Sequence, residues 1–185
     1  MNVPAKINLA MQLVMTAFAE KIRTGRMSIP ASTHSLRVGL SLITYACPIE
    51  VVLAGFCHDL LEDTAVTAVE IHRLFGERVL ALTQACTLDP VLGDTESGED
   101  ELLVRVVMCA RNGDLDPLKI KTADRLDNLR TNYTLKPASQ LKSYERSQRW
   151  LKAAQQYLSN DDLIGDLKSV MDWETRRLTV AGVFE

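Results

Sequence analysis

Apolar residues recur at helical spacing along almost the whole chain, and no segment alternates with a period of two over any length. The first stretch, "MNVPAKINLAMQLVMTAFAEKIR", mixes apolar positions with Lys, Gln and Glu and predicts a helix over roughly 5–23. Gly25 and Pro30 break the pattern, and Ser32 or Thr33 is placed to cap a second helix over roughly 32–46. Pro48 suits the first turn of a third helix, roughly 48–62, because its missing N–H has no helical partner there anyway. "TAVTAVEIHRLFG" follows, with Thr67 and Glu70 at capping-box spacing and Gly76 as a stop. "ERVLALTQACTL" is a further short helix, and "DPVLGDTESGEDE" is the most polar stretch and reads as a surface loop. "LLVRVVMCARNG" is helical to about Gly113, and the next helix starts with Asp116 as cap and Pro117 at its first position. "PASQLKSYERSQRWLKAAQQYLS" and "DDLIGDLKSVMDWETRRLTV" close the set. The expected fold is an all-α bundle.

A chain of 185 residues is long enough to bury a core, and one domain over 1–185 is expected. The formal net charge of −3 gives no overall pull toward nucleic acid or an anionic membrane. No apolar run reaches the roughly 20 residues of a membrane span. The N-terminal stretch lacks the small-residue cleavage site of a signal peptide. Cys47, Cys57, Cys86 and Cys109 form no C-x-x-C pair, and three of them lie in apolar helical patterns, which reads as reduced thiols in a cytoplasmic protein.

"GFCHDLLEDT" interrupts this plain picture. It sets His58, Asp59, Glu62 and Asp63 within six positions of an otherwise apolar run. On a continuous helix His58 stacks with Glu62 and Asp59 with Asp63. Carboxylates buried there without partners cost several kcal/mol each or take up protons. A bound cation removes that cost. Acids near a helix C-terminus also oppose its dipole, so the stretch is poor surface decoration. Further candidate ligands are His34 in "STHSLRV" and Asp124 in "KIKTADRLDNLRT". Taken singly, His34 reads as a surface or capping residue, and Asp124 as a salt-bridge partner of Lys121 or Arg125.

The order His … His-Asp … Asp over three helices resembles the signature of the HD superfamily of metal-dependent phosphohydrolases. "HDLLEDT", "RLFGERVLALTQACTLD" and "IKTADRLDNLRT" are similar, in this order, to the hydrolase domain of RelA/SpoT-type alarmone enzymes. With His34 these elements cover roughly residues 20–135. The resemblance implies an all-helical HD bundle and metal ligands His34, His58, Asp59 and Asp124. It implies Glu62 and Asp63 as the acidic pair beside the attacking water, and Asn128, Arg130 and Thr131 along a nucleotide pocket. Arg23, Arg26 and Lys121 are the cations expected to meet phosphate. Two imidazoles and two carboxylates suit a borderline divalent cation such as Mn, Fe, Co or Zn, with Mn²⁺ foremost. The expected partner is a small nucleotide, not nucleic acid or a membrane, and the length suggests a stand-alone hydrolase.

Three positions depart from the family pattern. Ala31 replaces a tyrosine, Ser35 a proline, and Asp127 stands where the family often has histidine. The expected activity is removal of pyrophosphate from the 3′ position of guanosine 3′,5′-bis(diphosphate). The alternatives are hydrolysis of another nucleotide or phosphorylated metabolite, and a non-catalytic binding module. His72 reads as a surface residue, and Trp150 and Trp173 as closing the bundle.

Overall fold

The computed structural model describes residues 2–23, 25–159 and 161–184. The helices are α1 (Val3–Ala17), α2 (Ser32–Thr44), α3 (Ile49–Cys57), α4 (Leu60–Asp63), α5 (Ala68–Phe75), α6 (Glu77–Cys86), α7 (Glu96–Arg111), α8 (Asp116–Arg130), α9 (Pro137–Tyr157) and α10 (Asp162–Val180). No strand forms among the described residues apart from an isolated Ile22–Pro30 bridge. The chain is all-α, as the spacing predicts.

Two helices are buried on every side, for different reasons. In α3 every residue from Val51 to Cys57 is buried, as expected for a helix apolar all round. In α8 the buried residues include Ile120, Ala123, Leu126 and Leu129, but also Lys121, Asp124, Arg125 and Asp127. A helix that carries four charged side chains into the interior must find partners for them there, because unpaired buried charge is strongly unfavourable. α2 packs against both, and its close approach to α3 is made by small residues. At Gly39 a Cβ would run into the Phe56 ring, and at Gly55 into a Leu42 methyl.

Several boundaries differ from the sequence expectation. α1 stops at Ala17 and not near residue 23. The chain beyond it folds back on itself, with the Arg23 amide donating to the Ile29 carbonyl at 2.9 Å and the Ala31 amide to that of Lys21 at 2.9 Å. α2 has no side-chain cap, and Thr33 instead donates to the Pro30 carbonyl. α8 includes Asp116, leaving Leu115 at the cap position. Half of the expected acidic loop is the start of α7. Thr95 caps it by accepting from the Gly98 amide at 3.1 Å, and Glu96 and Glu99 lie in a first turn where negative charge is favourable. Thr67 caps α5 as expected, accepting from the Glu70 amide.

Trp150 is 2% exposed and closes the interior, but Trp173 is 51% exposed and lies on the surface beside Arg177. His72 is exposed. All four cysteines are free thiols, with Cys57 and Cys86 buried and Cys47 and Cys109 half-buried. No helix of the described residues is long and apolar enough to cross a membrane.

Candidate metal centre

The third expected helix does not run through to residue 62. α3 ends at Cys57, and Asp59 adopts φ −97°, ψ −4°, in the sparsely populated bridge region. On a continuous helix neighbouring residues diverge by about 100°. The break lets His58 and Asp59 converge instead, with Nε2 and Oδ1 3.1 Å apart. His34, from the first turn of α2, and Asp124, from the middle of α8, complete the group. His34 Nε2 lies 3.2 Å from Asp124 Oδ1 and 3.6 Å from Asp59 Oδ2. His58 Nε2 lies 3.9 Å from Asp124 Oδ1. The imidazoles meet edge to face, with centroids 5.1 Å apart.

These four side chains offer donor atoms around one point. Metal–ligand distances of about 2.0–2.2 Å place neighbouring donors on one ion roughly 3–3.5 Å apart. The donor atoms of His34, His58 and Asp59 all lie within 4.8 Å of one another. The sharpest test of fit is His58. Its Nδ1 lies 2.9 Å from the Gly55 carbonyl, which only accepts, so Nδ1 carries the proton and Nε2 is bare. That Nε2 is fully buried and has no hydrogen-bond partner. A buried acceptor without a partner needs an explanation, and a cation among these donors supplies one. Burial also holds the ring's pKa below its usual value, against the pull of Asp59 and Asp124, which favours the neutral, ligating form.

Around this group the charges are paired. Burial opposes ionisation of Asp124, but Arg125 and Lys121 outweigh it and hold the carboxyl well below the usual range. Lys121 Nζ lies 2.6 Å and Arg125 Nη2 2.8 Å from its Oδ2, leaving Oδ1 toward the imidazoles. Asn128 donates to Oδ1 at 2.6 Å and accepts from Arg23 at 2.8 Å. His34 Nδ1 faces Asp127 Oδ2 at 2.6 Å, and Arg37 forks onto the two oxygens of Asp127 at 2.6 and 3.0 Å. Burial works against a charge on His34, yet the Asp124 and Asp127 hydrogen bonds prevail and raise its pKa.

Glu62 and Asp63 line the cleft beside the cluster. Glu62 does not stack on His58; its Oε1 accepts from the Leu88 amide at 2.7 Å. Although solvent reaches it, surrounding protein pushes its carboxyl up to about 7, with Asp59 and Asp124 adding to the rise. Burial, and then Asp59, raise Asp63 as well, while its backbone carbonyl accepts from Lys21.

The cleft has a volume of about 870 Å³. Arg23, Lys121 and Asn128 line it, as does Arg125. Arg26, Arg130 and Thr131 do not. Arg26 is exposed and is held through its amide by the Thr134 carbonyl. Arg130 and Thr131 line a separate depression on the far side of α8, where Arg130 lies 3.2 Å from Asp166 and the Thr131 hydroxyl donates to the Asp127 carbonyl. About 100° per residue turns Arg130 away from the face that carries Asp124 and Asn128, while Thr131 is the cap just past the end of α8. Lys142 and Arg146, one turn apart on α9, line the cleft and were not singled out in the sequence, although their spacing places them on one helix face. The lining holds seven carboxylates against six Lys and Arg side chains, so a divalent cation turns it net positive.

Residues 10–150 match the family model described as HD domain. The chain belongs to the HD domain family. Its HD domain is 34% identical over 113 residues to a guanosine-3′,5′-bis(diphosphate) 3′-pyrophosphohydrolase of Aquifex aeolicus, covering 60% of this chain and 15% of that protein. It is 32% identical over 110 residues to the bifunctional (p)ppGpp synthase/hydrolase SpoT of Escherichia coli K12, covering 58% of this chain and 16% of that one. The match thus spans about a sixth of these relatives' length. Among solved structures, one described as a metazoan ortholog of SpoT that hydrolyzes ppGpp shares the fold, with a TM-score of 0.77 over 97% of both chains at 21% identity.

Proposed function

We propose that this HD domain is a metal-dependent phosphohydrolase that releases pyrophosphate from the 3′ position of guanosine 3′,5′-bis(diphosphate)-type nucleotides. The observation that carries the reading is the orphaned, buried Nε2 of His58 at the centre of His34, Asp59 and Asp124, with Glu62 beside it in a cleft. Similarity to the Aquifex and Escherichia proteins supports the choice of nucleotide.

His34, His58, Asp59 and Asp124 hold the ion, for which Mn²⁺ is our first choice because the set mixes imidazole with carboxylate and has no thiolate. A divalent ion there supplies positive charge for a phosphoryl oxygen and acidity for a water. Glu62, poised near neutral pH, accepts the proton of the attacking water. Asp63 helps to hold that water. The water oxygen bonds to the phosphorus nearest the ribose, the bond from that phosphorus to the 3′-oxygen breaks, and the 3′-oxygen takes up the proton that Glu62 removed, so the sugar leaves with a 3′-hydroxyl. Arg23, Lys121 and Arg125, with Lys142 and Arg146 across the cleft, meet phosphate. Asn128 fixes Asp124 and Arg23 relative to each other. The ligand is a small nucleotide, and residues 1–185 act as one catalytic domain.

One observation favours a wider substrate range. Ala31 lines the cleft and offers only a methyl group where the resembled family has a tyrosine, so the wall there is open. The test is to incubate purified protein and Mn²⁺ with guanosine tetraphosphate, its adenosine analogue and simple phosphomonoesters. Pyrophosphate release from the guanosine compound alone is the expected result. Release from both nucleotides establishes the wider range, and hydrolysis confined to monoesters overturns the proposal.

A further inference from the structure

The two imidazoles of the cluster are held from behind in different ways. His58 gives its Nδ1 proton to the Gly55 carbonyl, a neutral group of its own helix. His34 has no such carbonyl. Its Nδ1 lies 2.6 Å from a carboxylate oxygen of Asp127, on a different helix. Asp127 is 6% exposed, so this carboxylate is buried. It is also tightly aimed. Arg37 Nε lies 2.6 Å from Oδ1 and Arg37 Nη2 3.0 Å from Oδ2, a bidentate fork that fixes the plane of the carboxylate and turns Oδ2 toward the ring. Arg23 Nη1, at 3.6 Å from the same Oδ2, adds charge from the cleft side.

We infer that Asp127 is a positioning residue of the metal centre: it holds the proton of His34 on Nδ1, fixes the ring plane, and so keeps Nε2 free for the ion, while Arg37 locks Asp127 in place. This rests on the proposed metal-dependent function. The physical reason is tautomeric. A neutral imidazole carries one proton and can ligate only through the other nitrogen, so whichever group binds the N–H decides which nitrogen meets the metal. A carboxylate behind a ligating histidine also makes the ring a stronger donor, and losing such a partner typically weakens metal binding about 10–100-fold. Asp127 touches neither the cluster's centre nor the space where a substrate lies, and it acts only through His34.

A purely structural role predicts something different. If Asp127 mattered only as the partner of Arg37, then removing either member of that pair would have the same consequence. The experiment therefore compares Mn²⁺ affinity, by chelator competition, for the wild type, Asp127→Ala, Asp127→Asn and Arg37→Ala, with melting of each metal-free protein measured alongside. Asp127→Ala is expected to bind about 10–100-fold more weakly than wild type. Asp127→Asn, which keeps one oxygen for the ring N–H but no charge, should fall between them. Arg37→Ala should lower the melting temperature yet keep affinity within a few-fold, since the bond from His34 to Asp127 survives. Wild-type affinity in Asp127→Ala overturns the inference, as does an equal loss in Arg37→Ala and Asp127→Ala. If Asp127→Ala does not fold, histidine ¹⁵N spectra of the metal-free wild type decide. Asp127 at 2.6 Å competes there with Asp124, which lies 3.2 Å from Nε2, so the neutral His34 ring should carry its proton on Nδ1, and a neutral ring protonated on Nε2 overturns the inference. A wild type that takes up no Mn²⁺ at all removes the proposed function itself, which sets that failure apart from this one.

Discussion

At neutral pH the Glu62 carboxyl is close to half ionised, because surrounding protein lifts it to about 7. As a proton acceptor it works in its ionised form, and a cation held by Asp59 and Asp124 favours that form, so kcat/KM should rise with pH to an inflection below 7 and level off above it. Glu62→Gln should keep the metal, lose about 10²–10⁴-fold in turnover, and lose that acid limb. Single-turnover assays across pH with metal content measured in parallel will check this; unchanged turnover at full occupancy removes Glu62 from the mechanism. Stability follows the opposite sign. A carboxyl raised on folding binds more protons in the native state, so its contribution is present below about 4.5 and is lost as pH climbs to about 7. Thermal melts in chelator should show this decline in wild type and a shallower one in Glu62→Gln, where only Asp63 and His34 still contribute with this sign. Asp124 is bound differently, because it neutralises Lys121 and Arg125 in the interior as well as facing the imidazoles. Asp124→Ala should therefore abolish metal binding and also destabilise the metal-free protein by about 3–5 kcal/mol, the cost of stranding buried charge. A chemical denaturation midpoint near that of wild type would show that the two cations find other partners.

The helices bring these residues together through two devices. One is the interruption between α3 and α4, which turns adjacent His58 and Asp59 toward a common point. The other is the close packing of α2 on α3, made by Gly39 and Gly55. A methyl group at residue 39 collides with the Phe56 ring, a rigid neighbour two positions before His58. Gly39→Ala should cost about 1–3 kcal/mol, as overpacked cores do, and should push α2 away from α3. Since α2 carries His34 and α3 leads into His58, metal affinity should fall together with stability. Comparing calorimetric Mn²⁺ affinity with the melting temperature of Gly39→Ala tests the coupling, and an intact affinity in a destabilised protein breaks it.

For the molecule as a whole, the cluster ties together α2, α8 and the turn after α3, parts of the chain that are far apart in sequence. An ion bound only by the folded state stabilises it by mass action, about 2.7 kcal/mol at 100 times the dissociation constant. Mn²⁺ should raise the melting temperature in a concentration-dependent way, chelator should reverse it, and the His58→Ala protein should show no response. A wild-type melt that is insensitive to Mn²⁺ would mean that the cluster binds the ion no better folded than unfolded.

The helical class, most helix positions and the four members of the cluster were legible in the sequence, because periodicity and residue chemistry are local properties of the chain. Helical spacing is enforced by backbone geometry within a few residues, and His58 and Asp59 stand out as polar groups in an apolar run, while His34 and Asp124 were legible only through the resemblance to the ordered HD signature. The break at His58–Asp59 was not legible, since the same residues fit a continuous helix equally well. The roles of the outer residues were decided by contacts across the fold. Asp127 reaches His34 over 93 positions, Arg23 reaches Asn128 over 105, and nothing local marks either pair. Arg130 shares α8 with Asp124 yet lines a different depression, together with Thr131 at the cap just beyond the helix. Which side of a helix meets the cleft depends on what packs against it, and only the tertiary structure settles that.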